Sequence, residues 1–409
     1  MTTATQKIPV GYKQTEIGVI PADWDVKLIK DLATITTGSK NTQDRISDGL
    51  YPFFVRSQTI ERINSYSYDG EAILTAGDGV GTGKVFHYIN GKFDIHQRVY
   101  KISDFNKKLN GYFFFLYFSN NFFNRIMQMT AKSSVDSVRM EMIADMQIPV
   151  PTKAEQVAIS STISDTNALI EKLEKLVKKK KDIKQGVMQK LLTGKQRLPG
   201  FDGKWEVKLL PEVSWFQEGP GVRTSQFTHS GVKLLNGTNI YKGKLLLDNT
   251  NRFISESEAF GPYSHFLVDE GDIVIASSGI TIDKFEEKIS FAKKEHLPLC
   301  MNTSTIRLKI RDNLLDPMFL YYFFMSKKFK DQIGAQATGS AQLNFGPSHM
   351  EKVEMFLPKD KKEQTAVTEI LSNMDAEIEK MESQLTKYKN LKQGMMQVLL
   401  TGKIRLLSK

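Results

Sequence analysis

The feature that most constrains the fold is a segment that the chain carries twice. The sequence KQGVMQKLLTGKQRL begins at Lys184 and KQGMMQVLLTGKIRL begins at Lys392, an offset of 208 residues. The match extends without a gap from Glu155 to Leu198 and from Glu363 to Leu406, with 23 identities in 44 positions. An ungapped match of this length is typical of a duplicated structural unit.

Apolar side chains in the repeat follow an alternating spacing of four and three residues. Copy one places at these positions Ile159, Ile163, Thr166, Ile170, Leu173, Val177 and Lys180, and copy two places there Val367, Leu371, Met374, Ile378, Met381, Leu385 and Tyr388. This spacing is typical of the seam of a coiled coil. Gly194 and Gly402 come just after the last apolar pair, where a left-handed cap residue is expected. The pattern predicts two helices of about 38 residues that pack on each other.

The segments that precede the two helices also resemble each other, although more weakly. WDVKL at 24–28 matches WEVKL at 205–209, GEAIL at 70–74 matches GDIVI at 271–275, and VYKI at 99–102 matches RLKI at 307–310. Short alternating runs, glycine-rich turns and a late aromatic helix predict α+β domains. The predicted segments are an N-terminal segment (1–23), a first domain (24–150), a first helix (151–200), a second domain (201–357) and a second helix (358–409).

Composition narrows the classes of function. The single cysteine, Cys300, rules out a disulfide framework and a multi-cysteine zinc site. The net charge of +10 favours an anionic partner such as nucleic acid, but +6 lies in residues 151–200 and +3 in 358–409, so charge does not locate a DNA surface. The aromatic runs at 112–118 and 318–325 are too short to span a bilayer. Together with an N-terminus that lacks a signal-peptide core, this predicts buried aromatic helices and a cytoplasmic protein.

No catalytic motif is complete in the sequence. The loop AGDGVGTGKV at 76–85 departs from a phosphate-binding loop at Asp78 and Val85. Two interpretations of this loop remain. It is either a tight turn between strands, or a glycine-rich loop that, with Lys84, closely approaches the backbone of a nucleic acid. The six histidines form no H-x-x-x-H or H-E-x-x-H pair, and neither a Pro-Pro dipeptide nor a G-x-S-x-G elbow occurs. The sequence therefore predicts neither a metal site nor a catalytic residue.

Two motifs carry a resemblance to a known family. The stretch GYKQTEIGVIPADWDVKLIKDL at 11–32, and the Glu-Gln pair that opens a long helix ending in KQGxMQxLLTGKxRL, resemble the specificity subunits of type I restriction–modification systems. The resemblance covers essentially the whole chain and is weakest in the two globular domains. It implies two target-recognition domains that alternate with two spacer helices, the helices pairing as an antiparallel coiled coil with pseudo-twofold symmetry.

The resemblance also implies a function. Each recognition domain would read one half of a bipartite site on double-stranded DNA, and the helix pair would set the unread gap. Two methyltransferase subunits would dock and methylate adenine N6 with S-adenosylmethionine, and restriction endonuclease subunits would bring ATP and Mg. This chain would hold no cofactor, no metal and no catalytic residue, and it would not contact a membrane.

Candidate contacts to DNA are polar residues in the predicted loops of the two domains. In the first domain they are Ser39, Lys40, Arg56, Lys84, Arg98, Lys132, Ser133, Ser134 and Arg139, and in the second they are Arg223, Asn236, Asn239, Asn302, Ser304, Ser340 and Gln342. Gly186 and Gly394 interrupt both helices at one register, at a cost of about 1 kcal/mol relative to alanine. They are predicted to be places where a docking subunit approaches closely.

Several alternatives remain open from the sequence. The chain could be a coiled-coil adaptor whose two globular domains bind proteins. Glu286 and Lys288 have the spacing of a nuclease E-x-K motif, without an upstream Pro-Asp, so a nuclease is a further rival. The lysines at 178–181 could simply form a solvated helix face, the two helix glycines could mark a kink, and Arg98 could pair with an acid inside its own domain.

Overall fold

The protein is described here by a computed structural model, which places residues 8–129, 137–248, 250–311, 314–336 and 343–406. Its contacts divide the chain into two compact units. Unit 1 comprises Met1–Lys175 with Ser383–Lys409, and unit 2 comprises Leu176–Glu382. Each unit holds one globular domain, called head 1 (24–150) or head 2 (201–357), together with parts of both long helices. The boundary between the two units thus lies within both long helices. The segments predicted from the sequence had instead treated each long helix as a segment separate from the heads.

Unit 1 begins with a hairpin and is centred on a six-stranded sheet in the order β4-β9-β7-β8-β5-β6. Its strands are β1 (Tyr12–Thr15), β2 (Gly18–Pro21), β3 (Asp25–Leu28), β4 (Thr34–Thr37), β5 (Tyr51–Phe54), β6 (Glu61–Ile63), β7 (Tyr68–Ala76), β8 (Phe86–Ile95), β9 (Val99–Ser103) and β10 (Gln147–Val150). The neighbours in the six-stranded sheet run antiparallel except β5 and β8, which are parallel.

The predicted aromatic helix of head 1 is confirmed as α1 (Gly111–Met129), and the short α2 (Met140–Ala144) follows it. Phe113, Phe118 and Phe122 have no exposed surface and pack with the sheet residue Ile73 in one core. Burying such large rings supplies roughly 1.5–3 kcal/mol each, which makes this helix the main apolar cover of the sheet.

Unit 2 carries a four-stranded sheet in the order β12-β20-β17-β18 and a three-stranded sheet in the order β16-β13-β19. Its helices and strands begin with α3 (Lys153–Leu191), which it shares with unit 1, and continue with β11 (Trp205–Leu209), α4 (Leu210–Val213), β12 (Ser214–Glu218), β13 (Val232–Leu235), β14 (Ile240–Tyr241), β15 (Lys244–Leu245), β16 (Phe253–Ile254), α5 (Glu256–Ala259), β17 (Ile273–Ala276), β18 (Ile289–Phe291), β19 (Leu299–Met301), β20 (Thr305–Ile310), α6 (Pro317–Met325), α7 (Lys327–Gln336), α8 (Pro347–Met350), β21 (Glu354–Pro358) and α9 (Lys361–Leu399).

The two heads follow one internal plan, as the weak sequence matches predicted. The first strand of each head pairs antiparallel with its last strand, β3 with β10 and β11 with β21. The matched segments GEAIL and VYKI lie in β7 and β9, which pair, and GDIVI and RLKI lie in β17 and β20, which also pair. The second aromatic run forms α6, where Phe319, Leu320 and Phe324 are fully buried.

The long helices α3 and α9 each contain 39 residues, close to the predicted length. Within unit 2 they run antiparallel, because Lys180 contacts Glu377 (2.7 Å) while Lys184 contacts Asp375 (2.5 Å). Within unit 1, Lys389 of α9 contacts Glu174 of α3 (2.6 Å). The coiled-coil pairing is confirmed in both units.

The predicted seam is also confirmed. Every seam position is buried or half-buried, including the two polar ones, Thr166 and Lys180. Gly194 and Gly402 adopt φ angles of +65° and +68°, the left-handed conformation expected of helix caps. In the described part of the chain, no helix has the length and apolarity needed to cross a membrane.

Candidate nucleic-acid interface

Four loops of unit 1 meet at the ends of their strands, and together they are called loop cluster 1 (38–41, 55–57, 77–84 and 96–98). The contacts that join them are Gln97 N to Lys40 O (2.8 Å), Gly77 N to Arg98 O (2.8 Å) and Arg56 Nη1 to Asp78 Oδ1 (2.9 Å). These loops are far apart in the sequence, so the sheet topology is what places their side chains together.

Asp78 lies between two arginines in loop cluster 1. One carboxylate oxygen accepts the hydrogen bond from Arg56, and the other lies 3.6 Å from Nη1 of Arg98. The Asp78 side chain is 22% exposed, whereas those of Arg56 and Arg98 are 45% and 63% exposed. One carboxylate thus holds two guanidinium groups that remain accessible, and the group of three keeps one net positive charge. The alternative that Arg98 pairs with an acid is confirmed.

The glycine-rich loop between β7 and β8 has a fixed shape. Thr82 donates to Gly79 O through its backbone N–H (3.0 Å) and its hydroxyl (2.6 Å), and Lys84 N donates to Gly81 O (3.0 Å). Gly79 has φ +76°, and a Cβ on Gly81 would lie 2.4 Å from the carbonyl oxygen of Arg56. The prediction of a tight turn between strands is confirmed, and the glycines let this turn lie directly against the Arg56 backbone.

The positive charge of loop cluster 1 comes from arginine and lysine alone. His96 is a buried member of the cluster, and its Nδ1 accepts the backbone N–H of Arg98 (2.9 Å). Burial lowers the pKa of His96, and the positive charge of Arg56 lowers it further. The ring is therefore uncharged at neutral pH, because the ordinary pKa of histidine already lies below 7.

Most of the head 1 candidates lie in or beside loop cluster 1. The cluster contains Ser39, Lys40, Arg56, Lys84 and Arg98. Arg139 is exposed just before α2, and its neighbour Val138 donates to Gly77 O (2.7 Å). Lys132, Ser133 and Ser134 lie outside the described residues.

Head 2 has a corresponding set of loops, called loop cluster 2 (219–223, 236–239, 277–280 and 302–304). Asn302 Nδ2 donates to Asn236 Oδ1 (3.0 Å), and Val222 N donates to Asn302 Oδ1 (3.3 Å). Ser277 N donates to Ser304 O (2.9 Å). The contacts show that the candidates chosen on separate loops of head 2 are also neighbours in space.

Two of the head 2 candidates need a correction. Asn239 and Asn302 are each only 5% exposed. Asn239 accepts from Asn236 N (2.9 Å) and donates to Leu246 O (3.3 Å), so its amide is used within the loop. Because both amides are buried and bonded within the loops, both residues hold the loops in place. Arg223 is exposed and Asn236 and Ser304 are half-buried, while Ser340 and Gln342 lie outside the described residues.

The two loop clusters place different side chains at equivalent positions. The last residues of β5 and β13 correspond, since Phe54 O accepts from His96 N and Leu235 O accepts from Asn302 N. Arg56, two residues after β5, therefore corresponds to Gly237. Asp78, two residues after β7, corresponds to the uncharged Ser278 after β17, since Gly77 N donates to Arg98 O as Ser277 N donates to Ser304 O. Head 1 thus presents an arginine bound to a carboxylate where head 2 has glycine and serine.

An ion cluster around one buried glutamate holds the helix ends of unit 1 and was not anticipated from the sequence. Glu155, at the start of α3, is 1% exposed and accepts from Trp24 Nε1 (3.0 Å). Arg405, beyond the end of α9, donates to Glu155 Oε2 (2.7 Å) and to both carboxylate oxygens of Asp23 (2.9 Å each). A Cβ on Gly402 would lie 2.5 Å from Pro21, so only glycine lets the chain turn here. We call this arrangement the clasp.

Unit 2 contains the same contacts of tryptophan, glutamate and arginine with the other copies of the motifs, and Lys204 stands where unit 1 has Asp23. Glu363, at the start of α9, accepts two hydrogen bonds from Arg197 (2.5 and 2.8 Å) and one from Trp205 Nε1 (3.2 Å). Gly194 precedes the arginine as Gly402 does in unit 1. The glycine of the motif GKxR therefore turns the chain at the end of one long helix, so that the arginine of the motif can pair with the glutamate at the start of the other long helix. The signal was present in the sequence, since the tryptophan, the Glu-Gln pair and the arginine all occur twice.

The helix glycines predicted to dock a subunit are open to solvent. A Cβ added to Gly186 or Gly394 would meet no atom of the described chain within 4 Å. Both residues lie within α3 and α9, which continue through them as helix. These positions leave room for another molecule, and their docking role stays a prediction.

The residues of the nuclease alternative are used inside unit 2. Glu286 pairs with Lys330 (2.5 Å), and Lys288 donates to the carbonyl oxygens of Gly237 (3.2 Å) and Ile240 (2.7 Å). Among the residues that the structure describes, no group of three or more histidine, cysteine, aspartate or glutamate side chains is arranged to hold a metal ion.

Comparison with known proteins agrees with this geometry. The profile of the type I restriction modification DNA specificity domain matches the chain twice, at residues 21–185 and 202–387. The MjaVIII specificity subunit of Methanocaldococcus jannaschii is 26% identical over 408 residues, covering 94% of each chain. The EcoDI specificity subunit of Escherichia coli is 28% identical over 181 residues, covering 43% of this chain and 39% of its own.

Solved structures show the same fold. The crystal structure of a type I restriction–modification S subunit from M. genitalium superposes with a TM-score of 0.59 at 16% identity, covering 92% of this chain and 96% of the other. The two matched domains span well over half of the sequence, and the matches place one in each head with its adjoining helix. The chain therefore belongs to the family of type I restriction–modification specificity subunits, the DNA-recognition subunits of these systems.

Proposed function

We propose that this chain reads a bipartite DNA site, one half with each head, and recruits two adenine-N6 methyltransferase subunits and the restriction subunits. The observation that carries the proposal is a contrast. The tryptophan–glutamate–arginine contacts of the clasp recur in both units and the seam keeps its spacing in both helices, whereas the two loop clusters differ in charge and side-chain type. A repeated scaffold suits two copies of one partner, and divergent loops suit two different base sequences.

The loop clusters have the chemistry of a DNA-reading surface. Accessible arginine and lysine side chains can bind phosphate oxygens, and arginine and asparagine can form paired hydrogen bonds with base edges. In this proposal S-adenosylmethionine belongs to the methyltransferase subunits, and ATP and Mg belong to the restriction subunits. The complex would act in the cytoplasm, where the host DNA lies.

Replacing one head tests the proposal. A chimaera in which residues 24–150 come from another specificity subunit is expected to change one half-site and leave the other half-site and the gap unchanged. The reason is that the core, sheet and loop cluster of head 1 are all contained in unit 1. The measurement is the methylated motif in host DNA, read by long-read sequencing with and without this gene.

Two outcomes of this experiment would contradict the proposal. If both half-sites change together, the heads do not read DNA independently. If the gene leaves no methylated motif and the full chain shows no salt-dependent gel shift of duplex DNA, the better explanation is that the chain is a coiled-coil adaptor that binds proteins. Salt dependence is decisive because neutralising phosphates releases counterions, whereas an adaptor would not bind the duplex.

The open helix glycines provide a separate prediction for docking. Gly186→Ala and Gly394→Ala should each raise the free energy of unfolding by up to about 1 kcal/mol, since alanine is the better helix former and nothing in the described chain obstructs its Cβ. Gly186→Phe and Gly394→Phe should fold equally well but lose methyltransferase subunits on size-exclusion chromatography. If the phenylalanine variants co-elute with a full complement of these subunits, the glycines are not docking positions.

A further inference from the structure

Val80 lies at the tip of the glycine-rich loop, and the residue is 96% exposed. An isolated apolar residue on a surface is common, but this one is presented by a turn of fixed shape. Gly79 and Gly81 flank it, and the turn is tied by the Thr82 hydrogen bonds and by the contact of Gly81 with the Arg56 backbone. The loop therefore presents a methyl-bearing side chain at a defined place beside Arg56.

The pair formed by Arg56 and Asp78, next to Val80, is suited to recognising guanine. An arginine held by a carboxylate loses less conformational freedom when it binds, because one end of the guanidinium is already positioned. Arg56 is held in this way at 2.9 Å from Asp78 and is still 45% exposed. Arginine with two free donors matches the O6 and N7 acceptors of guanine in the major groove.

The position of Asp78 argues for the major groove. Base edges in the major groove include the amino groups of cytosine and adenine, which are donors that a carboxylate can accept. The minor groove offers only the guanine amino group as a donor and is lined by acceptors. A carboxylate 22% exposed at the centre of the cluster would be repelled there, so this surface favours the major groove.

We infer that head 1 reads a guanine through Arg56, with Asp78 as its positioning residue, and an adjacent thymine through contact of Val80 with the 5-methyl group. This inference rests on the proposed function and names the bases that one head would recognise. Head 2 has no equivalent pair in its described loops, because Gly237 and Ser278 occupy the corresponding positions. The half-site of head 2 should therefore not depend on the same two contacts.

The test uses the full chain purified with its methyltransferase subunits and a duplex that carries the site found by sequencing. In the head 1 half-site, each guanine is replaced in turn by 7-deazaguanine, which lacks only the N7 acceptor, and each thymine by deoxyuridine, which lacks only the methyl group. One 7-deazaguanine position should weaken binding about tenfold, within the range for a paired arginine–guanine contact. One deoxyuridine position should weaken binding about fourfold, the equivalent of about 0.8 kcal/mol for one buried methyl-sized group.

Variants connect these effects to the named residues. In Val80→Ala the deoxyuridine effect should disappear while the 7-deazaguanine effect remains, and in Asp78→Asn the 7-deazaguanine effect should shrink. Val10→Ala is a matched control, since Val10 lies in the same unit with its side chain fully exposed and is not in loop cluster 1. That variant should keep both effects.

The outcomes separate this inference from the proposed function. A half-site for head 1 that contains no thymine, or one in which every deoxyuridine and 7-deazaguanine substitution is neutral, would overturn the inference and leave DNA recognition intact. Sensitivity to inosine, which removes the minor-groove amino group, without sensitivity to 7-deazaguanine would overturn the major-groove assignment. Failure of the complex to bind any duplex would instead overturn the proposed function.

Discussion

Replacing Arg197 with alanine should lower the free energy of unfolding of unit 2 by about 3 kcal/mol. The change leaves Glu363, whose side chain is 2% exposed, as a buried carboxylate without its charge partner, and breaking such a pair costs about 3–5 kcal/mol. The lower value is expected because the Arg197 side chain is itself 29% exposed, so water reaches part of the site. Hydrogen exchange resolved by segment is the suitable measurement, since two units need not unfold as one.

The duplicated clasp supplies the control for this experiment. Arg197→Ala should increase exchange in head 2 and leave head 1 near its original protection, and Arg405→Ala should do the reverse, because Arg405 contacts Glu155 and Asp23 in unit 1. Adding Glu363→Gln to Arg197→Ala should restore part of the loss. Glutamine removes the buried charge and can still accept from Trp205 Nε1. Equal loss of protection in both units from either single variant would show that the clasp does not act locally.

Lengthening both long helices together should lengthen the unread gap in the DNA site without changing either half-site. Lys180 and Glu377 face each other at 2.7 Å, so equal insertions after Lys180 and after Ala376 preserve this pair and the Lys184–Asp375 pair. They separate only the exposed pair Lys181–Glu382 among the ion pairs between the two helices that the structure describes. Four residues add about 6 Å, which corresponds to one or two base pairs at about 3.4 Å each. Seven residues add about 10.5 Å, or about three base pairs. The measurement is the methylated motif in cells that carry each variant.

The phase of the seam provides the control for the insertions. Four or seven residues keep the apolar stripe nearly in phase, whereas two residues rotate it by about 200°. The two-residue variant should bury charged side chains such as Lys178 in the seam and fail to assemble. If the four-residue and seven-residue variants methylate with the original gap, the spacing is set by the heads or by the docked subunits and not by the helices.

The long helices and the plan of the heads could be predicted because their signals are local or repeated. The spacing of four and three residues specifies which face of α3 and α9 is buried, and a glycine just beyond the last apolar pair specifies where each helix ends. The first strand of each head was recognisable because WDVKL and WEVKL occur at matching places. Duplication made each of these interpretations stronger, since one copy supports the other.

What the sequence by itself determined is therefore the seam, the helix ends and the two-headed plan, while the tertiary structure decided which polar side chains are free to bind DNA. Asn239 looks like a base reader in sequence, but its amide is consumed by bonds to Asn236 and Leu246 once the loop folds. Asp78 looks like a defect in a phosphate loop and instead holds two arginines from other loops. The physical reason is that local spacing specifies which face of an element is buried, whereas hydrogen bonds between distant loops depend on strand order, which no short pattern encodes.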